Sequence, residues 1–268
     1  MQSTLKSVPS LTMLIAILAA CGQEPQAPAP TSTAPAAATL KLGPNEIAIP
    51  SGSEQIVGYL AKPQGAGPFP ALVAIHEWWG LNDQIRDTVE NMARQGYLVV
   101  AVDLYRGKQT DNSEHAHELM RGLPEDRAMR DLVATVDYLK TRPDVKADRI
   151  GSVGWCMGGG FSAKMAVAIP DLAVCAIYYG SLPTEPENLK AIHAPVIGFF
   201  GDQDEGIPEA SVLAFEKAMR ELGKTAQVHM YRAGHAFANP DNKNYKPDLA
   251  DDASNKLSEF LAKYLKAS

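Results

Sequence analysis

The sequence predicts an α/β fold, with a mainly parallel central sheet covered on both faces by helices. Three observations predict it. Segments such as FPALVAIHE, YLVVAVDLY and APVIGFFG are almost continuously apolar, as strands buried on both faces must be. These runs alternate with segments whose apolar residues recur at helical spacing, the order that produces parallel crossovers. The chain of 268 residues shows no internal repeat and is long enough for one large core, and α/β domains of this length commonly stay unsplit.

Taken in order, NEIAIPSGSEQIVGYLAKP reads as an opening hairpin with Ser51-Gly52 at its turn. FPALVAIHE suits a central strand, and a helix follows from near Asp83 to Gln95, stopped by Gly96. YLVVAVDLY is the next strand. The helical region after it is clearest from Pro124 to Thr141, where Leu132, Val136 and Leu139 share a face. RIGSVGW is a strand that runs into a glycine-rich corner, and a helix continues through Met165 and Ala168. LAVCAIYYG, APVIGFFG and AQVHMYRAG are three more strands, with a helix from about Pro208 to Leu222 between the last two and a closing helix over about Leu249 to Leu265. In sheets of this kind ligands bind at the carboxyl ends of the strands.

Before this pattern begins, Lys6 precedes an apolar stretch from Leu11 to Ala20, about ten residues long and too short to span a bilayer. Residues 1–20 therefore read as a secretory signal peptide. The stretch ends in Leu18-Ala19-Ala20-Cys21-Gly22, which resembles the lipobox of bacterial lipoproteins and makes Cys21 the expected lipidation site. Residues 21–40, rich in Pro and Ala with almost no charge, read as a tether, and residues 41–268 as the folded domain. The expectation is an exported, periplasmic protein that meets the membrane by its lipid anchor only. Gly22 in place of the aspartate linked to inner-membrane retention tilts this towards the outer membrane. Of the two other cysteines, Cys175 lies in an apolar strand, where cysteine packs as a small hydrophobe, so two free thiols are favoured over a disulfide.

The net charge of −6 and the lack of any Lys/Arg-rich block argue against nucleic acid as a partner. The chemistry concentrates at Gly154-Trp155-Cys156-Met157-Gly158-Gly159, of the form G-x-C-x-G-G between a strand and a helix. This is a nucleophile elbow with cysteine in place of serine. The helix that starts at Met157 aims its N-terminal amides at the thiol and favours thiolate. The bland alternative is a glycine-rich turn with a packed cysteine; a dinucleotide loop is weaker still, because the G-x-G-x-x-G spacing is missing. HEWW is not a zinc H-E-x-x-H motif, since no second histidine follows.

Such a nucleophile needs a base, and the base an orienting carboxylate, in the chain order nucleophile, acid, histidine. Asp202 and Asp204 leave one later strand and His235 leaves the last one. His229 lies inside a strand, His193 precedes one, and His115 and His117 do not share a helix face, so these four read as structural or solvent-facing. The oxyanion hole in such an arrangement uses the amide after the nucleophile and one after the third strand, which nominates the backbone N–H groups of Met157 and Trp78. The side chains of Trp78 and Trp79 either shape the pocket or simply pack.

The set Gly154-x-Cys156-x-Gly158-Gly159, Gly201-x-x-Asp204-x-x-x-Pro208 and Ala233-Gly234-His235 resembles the dienelactone hydrolase family, with HEWWGLN and VDLY as further landmarks in the right order. The resemblance covers about Asn45 to Ala267. It implies an α/β-hydrolase fold and an ester or lactone hydrolase that needs no metal or organic cofactor. It selects Asp204 over Asp202. It also implies that Glu77 contacts the resting cysteine and is displaced when substrate binds, which frees the thiolate to pair with histidine. Well-known members hold a substrate carboxylate with two arginines. Here Arg106 follows Tyr105 one position early and Asn239 stands where the second arginine would be, so carboxylated lactones are in doubt as substrates. Tyr105, Arg106, Trp79 and Asn239 are the expected substrate contacts, the substrate is a small ester or lactone, and a monomer is expected. Two rival readings stay open: an exported thiol-redox or ligand-binding lipoprotein that keeps the fold, and a broad esterase or peptidase unrelated to lactones.

Overall fold

The computed structural model describes residues 40–266; the expected signal peptide, Cys21 and the tether up to residue 39 lie outside the described residues. The chain opens with the hairpin β1 (Glu46–Ser51) and β2 (Glu54–Ala61), whose tight turn places Gly52 at φ 61°, a region glycine enters without steric cost. Then come β3 (Phe69–Ile75), α1 (Asp83–Arg94), β4 (Leu98–Val102), α2 (Ser113–Arg121) and α3 (Glu125–Thr141). The second half runs β5 (Val145–Trp155), α4 (Met157–Ala168), β6 (Val174–Tyr178), α5 (Pro186–Ala191), β7 (Val196–Gly201), α6 (Glu209–Glu221), β8 (Ala226–Tyr231) and α7 (Pro247–Leu261). The last turn, Ala262–Lys266, widens from the α-helical to the π-helical pitch.

All eight strands join one sheet in the order β1-β2-β4-β3-β5-β6-β7-β8. β1, β2 and β4 pair antiparallel, and every pair from β4 to β8 is parallel. The continuous apolar runs are explained by the two cores they serve. Val73, Ile75, Val100 and Val102 point to one face, where α3, α4 and α6 contribute Leu132, Val136, Met165 and Phe215. Leu72, Ala74, Val99 and Ala101 point to the other, where α1 and α7 contribute Ile85, Val89, Leu257 and Phe260. Burying one such Val, Ile, Leu or Phe side chain is worth roughly 1.5–3 kcal/mol, so an alternating polar pattern would have stripped one helix layer from the sheet.

Most predicted elements fall within a residue or two of their expected limits. β5 is longer than RIGSVGW, because it begins at Val145, which pairs with Phe69; the exposed Lys146, Ala147 and Asp148 then bulge out of the ladder before pairing with β3 resumes at Ile150. α2 and the short α5 are also additional. α2 buries only Ala116 fully, too narrow a stripe to read from periodicity.

The helix that matters most for the site is α4. It is apolar on nearly all sides, and Gly158 through Ala163 are all buried, as expected of a helix covered all round. Its first turn rests directly on the end of β3. A Cβ built on Gly158 would stand 2.2 Å from the Ile75 carbonyl oxygen and 2.6 Å from that of His76. Gly158→Ala is therefore expected to destabilise the fold by at least ~2 kcal/mol, read as a fall of at least ~5 °C in Tm in thermal unfolding followed by circular dichroism.

Candidate active site

Cys156 occupies the corner between β5 and α4 at φ 55°, ψ −118°. A cysteine in this region is strained by roughly 1–3 kcal/mol, and the surroundings enforce it: its N–H donates to the Tyr178 carbonyl at 3.0 Å, and its own carbonyl accepts from Gly160 at 3.2 Å. The thiol is half-buried and free. Two later strand ends converge on it. After β7, Gly201 packs so closely on the next loop that a Cβ would lie 2.1 Å from the Ala233 carbonyl oxygen, and the Gln203 N–H donates to that carbonyl at 3.0 Å. The loop carrying Asp204 is thereby tied to the loop carrying His235.

The three side chains form one line. His235 Nδ1–H donates to Asp204 Oδ2 at 2.6 Å, and His235 Nε2 lies 3.1 Å from Cys156 Sγ. Asp204 Oδ1 accepts from the N–H groups of Gly206 at 2.8 Å and Ile207 at 3.1 Å. Burial alone would raise the Asp204 pKa, but His235 and the two amides outweigh it and hold the carboxyl below its usual range. Burial would likewise lower His235, yet the bonds to Asp204 and Cys156 raise its pKa to about 10. The bonds on both sides of the imidazole favour its protonated form. Asp204 is the partner, as the family resemblance selects over Asp202.

The N–H groups of Met157 and Trp78 have no protein acceptor among the described residues, and Met157 opens α4, where the helix dipole is positive. Glu77 lies just past β3 and is 3% exposed. It does not bond the thiol. Its Oε1 accepts from the Tyr179 hydroxyl at 3.1 Å and its Oε2 from Asn239 Nδ2 at 2.7 Å. Of the two arrangements that the resemblance implies, the structure holds the one with sulfur on histidine. Burial pushes the Glu77 pKa up, and the bonds from Asn239 and Tyr179 only partly oppose it.

None of the four expected substrate contacts is among the residues that line the cavity over Cys156. Arg106 turns away, pairing with the fully buried Asp131 at 2.7 Å and with Glu54 at 3.1 Å; a buried carboxylate needs a cation, and Arg106 is spent on it. Asn239 is itself buried and serves Glu77. Tyr105 packs in the core, its hydroxyl 3.3 Å from Sδ of Met157, the residue after Cys156. Trp79 stands edge-on to Trp78, ring centroids 4.8 Å apart, and it is Trp78 that lines the cavity.

That cavity, about 810 Å³, opens over Cys156 and His235. Its outer wall includes His117 and Met120 of α2, and Lys243 and Lys246 of the loop before α7. None of these was expected at the site. His117 reaches it through an edge-on contact with Trp78 at 4.9 Å, and no spacing in the sequence ties α2 to β3. Asn244, also missed, donates to the His235 carbonyl at 2.9 Å and steadies the loop that carries it. The remaining cysteine, Cys175, is fully buried, its thiol donating to the Ser162 carbonyl at 3.3 Å, and burial raises its pKa to about 11; it is free, as expected, and inert. Among the described residues no group of three or more His, Cys, Asp or Glu side chains is placed to hold a metal ion, and no helix is long and apolar enough to cross a membrane.

A mostly parallel eight-stranded sheet with its nucleophile elbow between β5 and α4 defines an α/β-hydrolase fold. The profile of the dienelactone hydrolase family matches residues 56–265, and the chain belongs to that family of hydrolases. A Methylorubrum extorquens protein provisionally named carboxymethylenebutenolidase is 31% identical over 235 residues, 82% of this chain and 80% of its own. A Bradyrhizobium protein provisionally named 2-oxo-3-(5-oxofuran-2-ylidene)propanoate lactonase is 28% identical, over 85% of this chain and 97% of its own. Among solved structures, a dienelactone hydrolase assigned from Klebsiella pneumoniae superposes with a TM-score of 0.75 at 29% identity, covering 82% of this chain and 98% of that one.

Two outcomes check this geometry. Arg106→Ala should lower stability by about 2 kcal/mol, because it leaves Asp131 Oδ2 unpaired and only the longer Arg130 contact, 3.3 Å to Oδ1, to balance the buried charge, while KM for a neutral ester stays within about twofold. His235, with a folded pKa of about 10 against 6.5 in the unfolded chain, contributes stability that is complete below pH 6.5 and fades as pH rises through about 10. The stability gap between the parent and His235→Ala, from urea unfolding, should therefore be narrower at pH 10 than at pH 6.

Proposed function

We propose that this protein hydrolyses small esters or lactones with Cys156 as nucleophile, His235 as acid and base, and Asp204 as the orienting carboxylate. The observation that supports it best is the continuous Asp204–His235–Cys156 line, 2.6 Å and 3.1 Å, at the floor of the cavity. Cys156 thiolate attacks the acyl carbon, and the carbonyl electron pair moves onto oxygen, where the Met157 and Trp78 N–H groups receive it. Collapse of this intermediate breaks the C–O bond, and His235 Nε2–H gives its proton to the departing alkoxide or enolate. The acyl group is then a thioester on Cys156. Water attacks it as His235 removes the proton, the acid leaves, and the thiolate–imidazolium pair is restored.

The names carried by relatives suggest lactones with a conjugated leaving group, for which a thiolate suffices. Neither Arg106 nor Asn239 is free to hold a substrate carboxylate, so a neutral ester is the first substrate to try. The proposal also keeps export, lipidation at Cys21 and a monomeric state as its setting: detergent-phase partitioning of the parent, lost in Cys21→Ser, checks the anchor.

The test is hydrolysis of p-nitrophenyl acetate and a small enol-lactone by the full chain. Cys156→Ala and His235→Ala should each lose at least ~10³-fold in kcat. Turnover that survives in a folded Cys156→Ala protein would sink the mechanism and favour the redox or binding reading.

A further inference from the structure

One fully buried titratable side chain lies against the site and takes no part in the chemistry above. His76 directly follows β3. Its Nδ1–H donates to the Glu77 carbonyl at 2.5 Å, and its Nε2 accepts from the Leu104 N–H at 3.3 Å. A backbone amide only donates, so Nε2 must be the bare nitrogen and the proton sits on Nδ1. Burial lowers the His76 pKa more than the Glu77 carbonyl and Asp103 raise it, which suits the neutral ring this pair of bonds requires. Tyr105 holds the ring edge-on at 4.9 Å.

The Glu77 carbonyl and the Trp78 N–H are two ends of one planar peptide unit, and in a trans peptide they point in opposite directions. The Gly80 N–H also donates to the Glu77 carbonyl, at 3.3 Å. Two donors therefore hold the carbonyl on the protein side. The Trp78 N–H is left facing the other way, with no protein acceptor, on a residue that lines the cavity beside Cys156. We propose that His76 is a positioning residue: its ring locks the Glu77–Trp78 peptide so that the Trp78 N–H already faces the developing oxyanion before substrate arrives. Rotated the other way, the same peptide would present its carbonyl oxygen to that negative charge. The proposal rests on the reading of Trp78 as an oxyanion donor.

The experiment compares ester turnover with alkylation of Cys156 by iodoacetamide, a displacement that needs the thiolate but forms no oxyanion. In His76→Leu, kcat for p-nitrophenyl acetate should fall at least tenfold, within the ~10²–10³-fold that loss of one oxyanion donor costs. KM should stay within about threefold, and the alkylation rate within about twofold. His76→Gln, whose amide can donate to the Glu77 carbonyl and accept from Leu104, should recover kcat to within about fivefold of the parent. Where His76→Leu does not fold, His76→Asn, too short to reach both partners, is held to the same criteria. A kcat within threefold of the parent overturns the proposal, and so does alkylation that falls in step with kcat. Parent turnover that survives Cys156→Ala overturns the nucleophile reading and takes this proposal with it, whereas turnover that needs Cys156 but not His76 overturns this proposal alone.

Discussion

The contact on which the site depends is backbone against backbone: the first turn of α4 resting on the carbonyls of Ile75 and His76 at the end of β3. Only a residue without a side chain allows it. Because Gly158 lets α4 approach this closely, the strained corner at Cys156 and the Glu77–Trp78 peptide come to share one rim. The strain at Cys156, φ 55°, is held there by the ladder on both sides of β5 and by the buried helix behind it. Stability of the sheet is thus converted into the exposure of a thiol, a trade that folded proteins concentrate at functional positions.

Two carboxylates near that thiol meet different fates for reasons visible in their partners. Asp204 accepts from a cationic ring and two amides and remains charged. Glu77 accepts only from neutral donors, Tyr179 and Asn239, and burial raises its pKa. The first arrangement stabilises imidazolium beside sulfur. The second occupies both Glu77 oxygens, so that the Cys156 thiol is left to His235. A cation at position 239 would have favoured ionised Glu77; the neutral amide does so less.

The substrate side of the site is distributed over segments with little in common in sequence. Arg106 and Asn239, which the family resemblance marks for a substrate, are drawn into internal obligations by Asp131 and Glu77. The wall facing solvent falls instead to α2 and to the loop before α7, through His117, Met120, Lys243 and Lys246.

By itself the sequence determined the layered α/β architecture, because strands covered on both faces must be apolar at every position and helices on one stripe only. It also determined the identity of Cys156 and His235, because an elbow needs glycines at fixed offsets and the chain order of the groups follows from the fold; between Asp202 and Asp204 only the family resemblance chose. The first half of β5 and the helix α2 escaped it: an exposed bulge in the strand and a single buried alanine leave no periodic trace. What only the tertiary structure decided is which partner each polar side chain takes. Nothing local to Arg106 announces Asp131, twenty-five positions later and fully buried, and nothing local to His76 announces the Leu104 amide. Such pairings are fixed by burial, which forces each polar group to find whatever donor or acceptor the packed chain brings within reach.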